Sequence, residues 1–362
     1  MSERLIQNSR AYFLRLSASL ALLLTCVFAV NALIDPLWHF AGNRFGGISY
    51  RFEERNMKLN AFLDAPGRYD CLVLGASRTT LLDEEQIEGN TCFNMAFSQG
   101  HVREFVLIAE YLKSLGFQPE RVIVGIAEVS FQPRAYTEGE KLPHYVLDGS
   151  QPNTPWEDYL GSTILRFSIQ TLLEGEKFRR GYERREDGTY RGVILPIASV
   201  YTPPKEQFVT PEHFEPLDSE MLGDFERLLG VFPEARYEAY VPHVSDWFQA
   251  KLDMVGSLEP YVALRYELAK LFDGAFWDFT VPSAVTANPN LTYDGEHFIA
   301  PINTKIAKCL NGIEHECGTD VSSLSLEEYR EQILPPIREL ISREGLSVFQ
   351  KHEQLGLLKP QG

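Results

Sequence analysis

The sequence predicts an α/β protein: three layers, α/β/α, built on a mostly parallel five-stranded sheet and preceded by one N-terminal transmembrane helix. Three observations carry this. Leu16 to Ile34 reads LSASLALLLTCVFAVNALI without a charged residue, close to the ~20 apolar residues that cross a bilayer core. Beyond it, short apolar runs such as Cys71-Leu-Val-Leu74 and Arg121-Val-Ile-Val-Gly-Ile126 are continuous rather than alternating, as in strands buried on both faces. Segments of helical periodicity separate these runs, and strands alternating with helices specify a parallel sheet covered on both sides.

Residues 1–15 read as a cytoplasmic N-terminus and residues 16–34 as the anchor. Arg4, Arg10 and Arg15 precede the apolar stretch, whereas Asp35-Pro36 and Trp38 follow it. The positive-inside bias therefore keeps the N-terminus in the cytoplasm, with Trp38 as an interfacial anchor. A cleaved signal peptide is shorter and ends in a small-x-small site; Ala29-Val-Asn-Ala32 spaces its alanines wrongly for one. A single-pass protein of the inner or cytoplasmic membrane is expected, its main domain periplasmic or extracellular.

Residues 35–65 form a juxtamembrane connector leading into a helix whose polar side carries Arg51, Glu53, Glu54, Arg55 and Lys58. The sheet domain spans 66–318. Its strands are Cys71–Leu74, Thr91–Ala96, Arg121–Ile126, Tyr237–Val241 and Phe276–Phe279. Helices are expected over Val102–Leu115, stopped by Gly116, and over Ser219–Leu229, Leu258–Phe272 and Pro301–Leu310. From about 133 to 220 the pattern dissolves into Pro, Gly, Tyr and charged residues, including the mixed-charge stretch around Gly188. This insertion is expected to shape access to a site. Residues 319–362 form a C-terminal helical extension that opens on the capping box Ser325-x-x-Glu328 and is interrupted at Pro335-Pro336.

The 362 residues are 44% hydrophobic and 23% charged, and the formal net charge is −16. An acidic chain is a poor partner for nucleic acid, whose phosphates need a basic surface. Of five cysteines, Cys26 lies in the anchor, Cys309 and Cys317 flank a short turn and form the expected bridge, and Cys71 and Cys92 read as small core residues. None has metal-ligand spacing, and no metal or cofactor is expected.

Two distant segments carry chemistry. Gly75-Ala-Ser77 lifts a serine hydroxyl past the carboxyl end of the first strand, where ligands of open parallel sheets bind. Asp294-x-x-His297 lies more than two hundred residues later. A serine needs a base to take its proton, which is His297, and a carboxylate to hold the imidazole tautomer, which is Asp294. The backbone amides of Ser77 and Arg78 are candidate oxyanion donors. His243, after the fourth strand, is a candidate for the same cleft, and Arg78 for pairing with an acidic substrate or with Glu128. A metal-dependent reading would use Asp294, His297, Glu128 and His243, without recognised ligand spacing. His101, His144 and His213 have no evident partner. Phe131, Tyr136, Tyr145, Trp156, Tyr190 and Tyr201 are candidates for stacking on sugar rings, with core packing the simpler account of most.

Over about residues 66 to 315 the chain resembles the SGNH, or GDSL-like, hydrolase superfamily, and within it the membrane-anchored branch of alginate O-acetyltransferase-like and D-alanyl-transfer proteins. The resemblance rests on Gly75-x-Ser77, with Arg78 next to it, on Asn94-x-Ala96-x-Ser98, and on Asp294-x-x-His297. It implies a flavodoxin-like sheet, catalytic Ser77, Asp294 and His297, and an oxyanion or substrate-binding group drawn from Arg78, Gly100 and Asn94. Where the family carries its second-block glycine this chain has Gln99, with Gly100 one residue later. Its third-block Gly-x-Asn-Asp is replaced by Gly125-Ile-Ala-Glu-Val-Ser130.

The resulting expectation is an extracytoplasmic serine esterase or O-acyltransferase acting on an acylated cell-envelope or exported polysaccharide, a polysaccharide-modifying activity with an acyl-enzyme. The alternative is a weakly active or inactive SGNH-fold binding protein that partners an integral-membrane acyltransferase.

Overall fold

The computed structural model describes residues 3–132, 142–175, 180–186, 189–194, 201–209, 217–273, 276–312 and 317–350. Tyr136, Gly188 and His213 lie outside them. In chain order the elements are α1 (Glu3–Ile34), β1 (Ile48–Ser49), α2 (Glu54–Asp64), β2 (Cys71–Gly75), β3 (Cys92–Asn94), α3 (Val102–Ser114), β4 (Arg121–Gly125), α4 (His144–Asp148), α5 (Pro155–Tyr159) and α6 (Ser162–Glu174). There follow β5 (Arg180–Arg184), β6 (Tyr190–Ile194), β7 (Glu206–Val209), α7 (Met221–Val231), β8 (Arg236–Val241), α8 (Asp246–Met254) and α9 (Leu258–Leu271). The chain continues through β9 (Phe276–Asp278), α10 (Ala300–Leu310), β10 (Thr319–Asp320), α11 (Leu326–Glu344) and β11 (Ser347–Gln350). They fall into two compact units, Met1–Asp64 with Ser150–Leu195, and Ala65–Gly149 with Pro196–Gly362. Part of the expected insertion thus belongs with the N-terminal segment rather than with the sheet.

In the first unit, Arg10–Ile34 of α1 is long and apolar enough to cross a membrane. β1, β5 and β6 make an antiparallel sheet in the order β1-β5-β6. The side of α2 expected to face water is instead covered. Glu54, Arg55 and Lys58 are buried, the Lys58 ammonium lies 5.0 and 5.3 Å from the ring centroids of Tyr182 and Tyr190, and Tyr182 donates its hydroxyl to Glu54. Aromatic faces and a carboxylate can keep such charges inside. Trp38 is also buried, edge-on to Tyr190 at 5.5 Å. It packs the unit's interior and is not the expected interfacial anchor.

The second unit is built on a six-stranded sheet, β10-β9-β8-β4-β2-β3. All five expected strands are present and pair in parallel. β10 adds a sixth, two residues long and antiparallel to β9. Every residue of β2 and β4 is buried. One face of the sheet, through Cys71, Val73, Ile123 and Tyr240, packs on Ile306, Ala307 and Leu310 of α10. The steps β3→β4→β8→β9 all run in one direction, so right-handed crossovers put α3, α7 and α9 on the opposite face.

Cys71 and Cys92 face each other across β2 and β3 with Cα atoms 4.2 Å apart, and they form a disulfide, as do Cys309 and Cys317. The first bridge corrects the reading of Cys71 and Cys92 as free core residues; strand register put them opposite. α11 runs through Pro335 and Pro336 without a break. Each interior proline costs a helix about 3 kcal/mol. Burial of Tyr329, Ile333, Leu334, Ile337 and Leu340, at about 1.5–3 kcal/mol per large apolar side chain, holds it together. At the end of β9, Asp278 is fully buried and accepts from the Arg265 guanidinium at 2.7 Å, from Thr280 N–H at 2.6 Å and from the Tyr329 hydroxyl.

Candidate active site

The chain enters the sheet at β2, steps to β3 on one side, then crosses back to β4 on the other. This reversal opens a crevice between the carboxyl ends of β2 and β4, the place where such sheets bind ligands. Ser77 follows β2, and Glu128 follows β4. Thr79 donates its N–H to the Ala76 carbonyl at 2.9 Å, closing a tight turn around Ser77. Gly75 is required at its entry, because a Cβ there would lie 2.4 Å from Thr79 Oγ1.

The Asp294–His297 loop is held by its own hydrogen bonds. Thr292 Oγ1 donates to the His297 carbonyl at 2.8 Å and accepts from Gly295 N–H at 2.9 Å. Gly295 has φ +90 and has Tyr201 and Ser245 against it, so a side chain there would be strained and crowded. Its carbonyl accepts from Ser245 N–H at 2.9 Å, which ties the loop to the residue capping α8.

These two local structures meet. His297 Nε2 lies 2.9 Å from Ser77 Oγ, and its Nδ1 lies 2.7 Å from Asp294 Oδ2. An ionised carboxylate only accepts, so Nδ1 carries the proton and Nε2 is free to accept from the serine hydroxyl. Asp294 Oδ1 accepts from the Glu296 and His297 N–H groups at 2.9 and 2.8 Å. Partial burial opposes charge on Asp294, but the His297 hydrogen bond, the imidazole's charge and the two amides outweigh it and hold the carboxyl below its usual range. The His297 side chain is 18% exposed and that of Asp294 38%. The imidazole stacks on Tyr293, centroids 5.5 Å apart.

Compared with protein-family models, curated proteins and solved structures, the chain matches none.

The remaining sequence candidates separate into those beside Ser77 and those elsewhere. Arg78 is buried and donates to Glu128 across the crevice. Burial alone disfavours both charges, yet each sustains the other, so the Glu128 carboxyl is held low and the Arg78 guanidinium is raised. The backbone N–H groups of Ser77 and Arg78 have no acceptor among the described residues, which leaves them available to a developing oxyanion. Gly100 lies close, its position filled up to the Gly75 carbonyl, but its own N–H donates to the Phe97 carbonyl at 3.0 Å. The expected oxyanion role of the Gly100 amide is corrected accordingly. Gln99, where the family pattern has glycine, takes φ +53, the left-handed backbone a glycine adopts without cost.

Asn94 is also displaced from a substrate-binding role. It is buried, accepts from Ala96 N–H at 3.1 Å and donates to the Thr79 carbonyl at 3.1 Å. It braces the turn that follows the serine. His243 packs between Phe279 and Phe298, 5.3 and 5.4 Å between centroids, and burial pushes its pKa down to about 4. It lines a separate cavity of about 390 Å³ with Asp278, Ser283, Lys305 and Thr319; none of Ser77, Asp294 and His297 lines that cavity. His101 caps α3, accepting from Arg103 N–H at 3.3 Å. Phe131, Tyr145 and Tyr190 are core residues, whereas Trp156 is exposed. No three His, Cys, Asp or Glu side chains among the described residues cluster as metal ligands.

Sequence reading missed Lys251 and Phe248 of α8. Lys251 Nζ lies 3.4 Å from Glu296 Oε1 and 4.4 Å from the Phe248 ring centroid, and the Arg78 guanidinium lies 5.7 Å from the same ring. No motif marks them; helix α8 itself was the missing signal, foreshadowed only by Ser245-Asp246, an N-cap followed by an acid.

Proposed function

We propose that the chain is a membrane-anchored serine esterase or O-acyltransferase of the SGNH/GDSL-like kind, acting on an acylated cell-envelope or exported polysaccharide. The observation that supports it is the hydrogen-bonded series Ser77–His297–Asp294, set at the carboxyl end of the first strand of the sheet. His297 Nε2 takes the Ser77 proton as Oγ attacks the acyl carbonyl carbon. The Ser77 and Arg78 amides meet the oxyanion. Collapse passes that proton to the departing alkoxide and leaves an acyl-serine. Water, or a sugar hydroxyl, then gives its proton to Nε2 and attacks the acyl carbon, and Nε2 returns that proton to the departing Ser77 Oγ, restoring the free serine and the neutral imidazole. An N-terminus in the cytoplasm and a sheet domain outside it would bring this site to polymers made at the membrane.

A second reading is a binding protein that keeps the fold and partners an integral-membrane acyltransferase. The engaged Gly100 amide and the missing third-block asparagine favour it. A fluorophosphonate probe separates the two. Labelling of the wild type at Ser77, absent from Ser77→Ala, supports the enzyme; a wild type that stays unlabelled on prolonged exposure removes it in favour of the binding protein.

A further inference from the structure

The second half of helix α6, from Ser168 onward, is built inside out. Its buried positions are Ser168 and Thr171, whereas Ile169, Leu172 and Leu173 point outward, Leu173 at 77% exposure. A surface helix in water shows the reverse pattern. Polar residues turned inward and apolar ones outward are the arrangement of helices beside lipid, where small hydroxyl residues mediate helix contacts.

The position of α6 accounts for this inversion. α1 packs against both α5 and α6. Asn31, the last polar residue of the apolar stretch, is fully buried between them; its amide donates to the Tyr159 carbonyl at 2.7 Å, and its carbonyl accepts from the Ser168 hydroxyl at 2.7 Å. Ser168 therefore faces inward because Asn31 needs a partner where water is scarce. Trp156 of α5 is 60% exposed and stacks on Phe28 of α1 with centroids 3.9 Å apart. Phe28 lies six residues before the end of α1, about 9 Å along the helix at 1.5 Å per residue. The contact thus falls inside the apolar stretch, and Leu160 adds a further exposed apolar side chain at the join of α5 and α6.

We propose that α5 and α6 are a second membrane contact: their outward apolar face, Trp156, Leu160, Ile169, Leu172 and Leu173, lies in the bilayer interface and continues the lipid-facing surface of α1. The occupant is the lipid itself. Trp156 then serves as the interfacial tryptophan that Trp38, buried in the unit, does not provide. Exposed Arg166, on the same side of α6, reaches back to the phosphate layer from an apolar stem. The consequence is a first unit held on the bilayer at two places, so that it does not swivel freely about a single helix.

This rests on reading α1 as membrane-spanning, and the test separates the two. The full chain is placed in nanodiscs made with phosphatidylcholine or with its acyl-brominated counterpart, a contact quencher of tryptophan. Cys26, the free cysteine of α1, is probed in the same samples with a membrane-impermeant maleimide. The expected result is Cys26 protected and about a quarter of the emission lost, one tryptophan of four, with the loss abolished in Trp156→Phe and retained in Trp38→Phe. Protected Cys26 with unquenched Trp156 overturns the second contact and leaves the anchor standing, as expected if a second copy or another protein covers this face. Reactive Cys26 overturns both.

Discussion

Asp294→Asn tests whether the carboxylate sets the imidazole tautomer. In the wild type, Asp294 Oδ1 receives two backbone N–H groups and Oδ2 receives Nδ1–H. An asparagine keeps its one oxygen where the two amides point, because turning the NH2 toward them would set donor against donor. Its NH2 then faces Nδ1, which must accept. The proton moves to Nε2, and the imidazole donates to Ser77 Oγ instead of accepting from it. A wrong tautomer costs about 10⁴-fold in a well-buried triad. Asp294 is more than a third exposed, so water relieves part of the mismatch and roughly 10³-fold is expected, about 4 kcal/mol at 1.36 kcal/mol per decade. The assay is the second-order rate of fluorophosphonate labelling in detergent, with Ser77→Ala as the floor and thermal unfolding as a control for folding. Labelling of Asp294→Asn within threefold of wild type would refute the reasoning, since the carboxylate would then have no part in activating the serine.

Two further predictions concern stability. Asp246 has its carboxyl pushed up to about 6 by burial, from an ordinary 3.8, despite a hydrogen bond from Thr286. The folded state therefore holds its proton more tightly than the unfolded one, and stability present below pH 3.8 is lost as pH rises through about 6. Asp246→Asn should raise the unfolding midpoint at pH 7 and leave it unchanged at pH 4; equal effects at both values would dismiss the assignment to charge. Arg265→Met leaves Asp278 buried without its ion-pair partner, and chemical denaturation should report a loss of about 3–5 kcal/mol, whereas a change under 1 kcal/mol would mean that Tyr329 and Thr280 suffice.

By itself the sequence determined the features that depend on neighbours in the chain. All five expected strands formed and paired in parallel; the apolar runs of β2 and β4 were the plainest, because burial on both faces leaves a local mark. The uncharged stretch before Asp35 became one helix of spanning length, and Ser325-x-x-Glu328 became a capping box, because each is decided within a few residues. Ser77, Asp294 and His297 were legible for the same reason: each sits in a short motif whose chemistry is read from its own side chains.

What only the tertiary structure decided is which groups meet after the chain returns. Strand register put Cys71 opposite Cys92. Covering by β5 and β6 turned the charged side of α2 inward. The crossing back from β3 to β4 opened the crevice that Arg78 and Glu128 span. The burial of Trp38 against Tyr190, with Trp156 left exposed beside Phe28, has the same origin. Burial and pairing here are set by segments that lie 21 residues apart for Cys71 and Cys92 and 128 for Glu54 and Tyr182, and local periodicity carries no record of them.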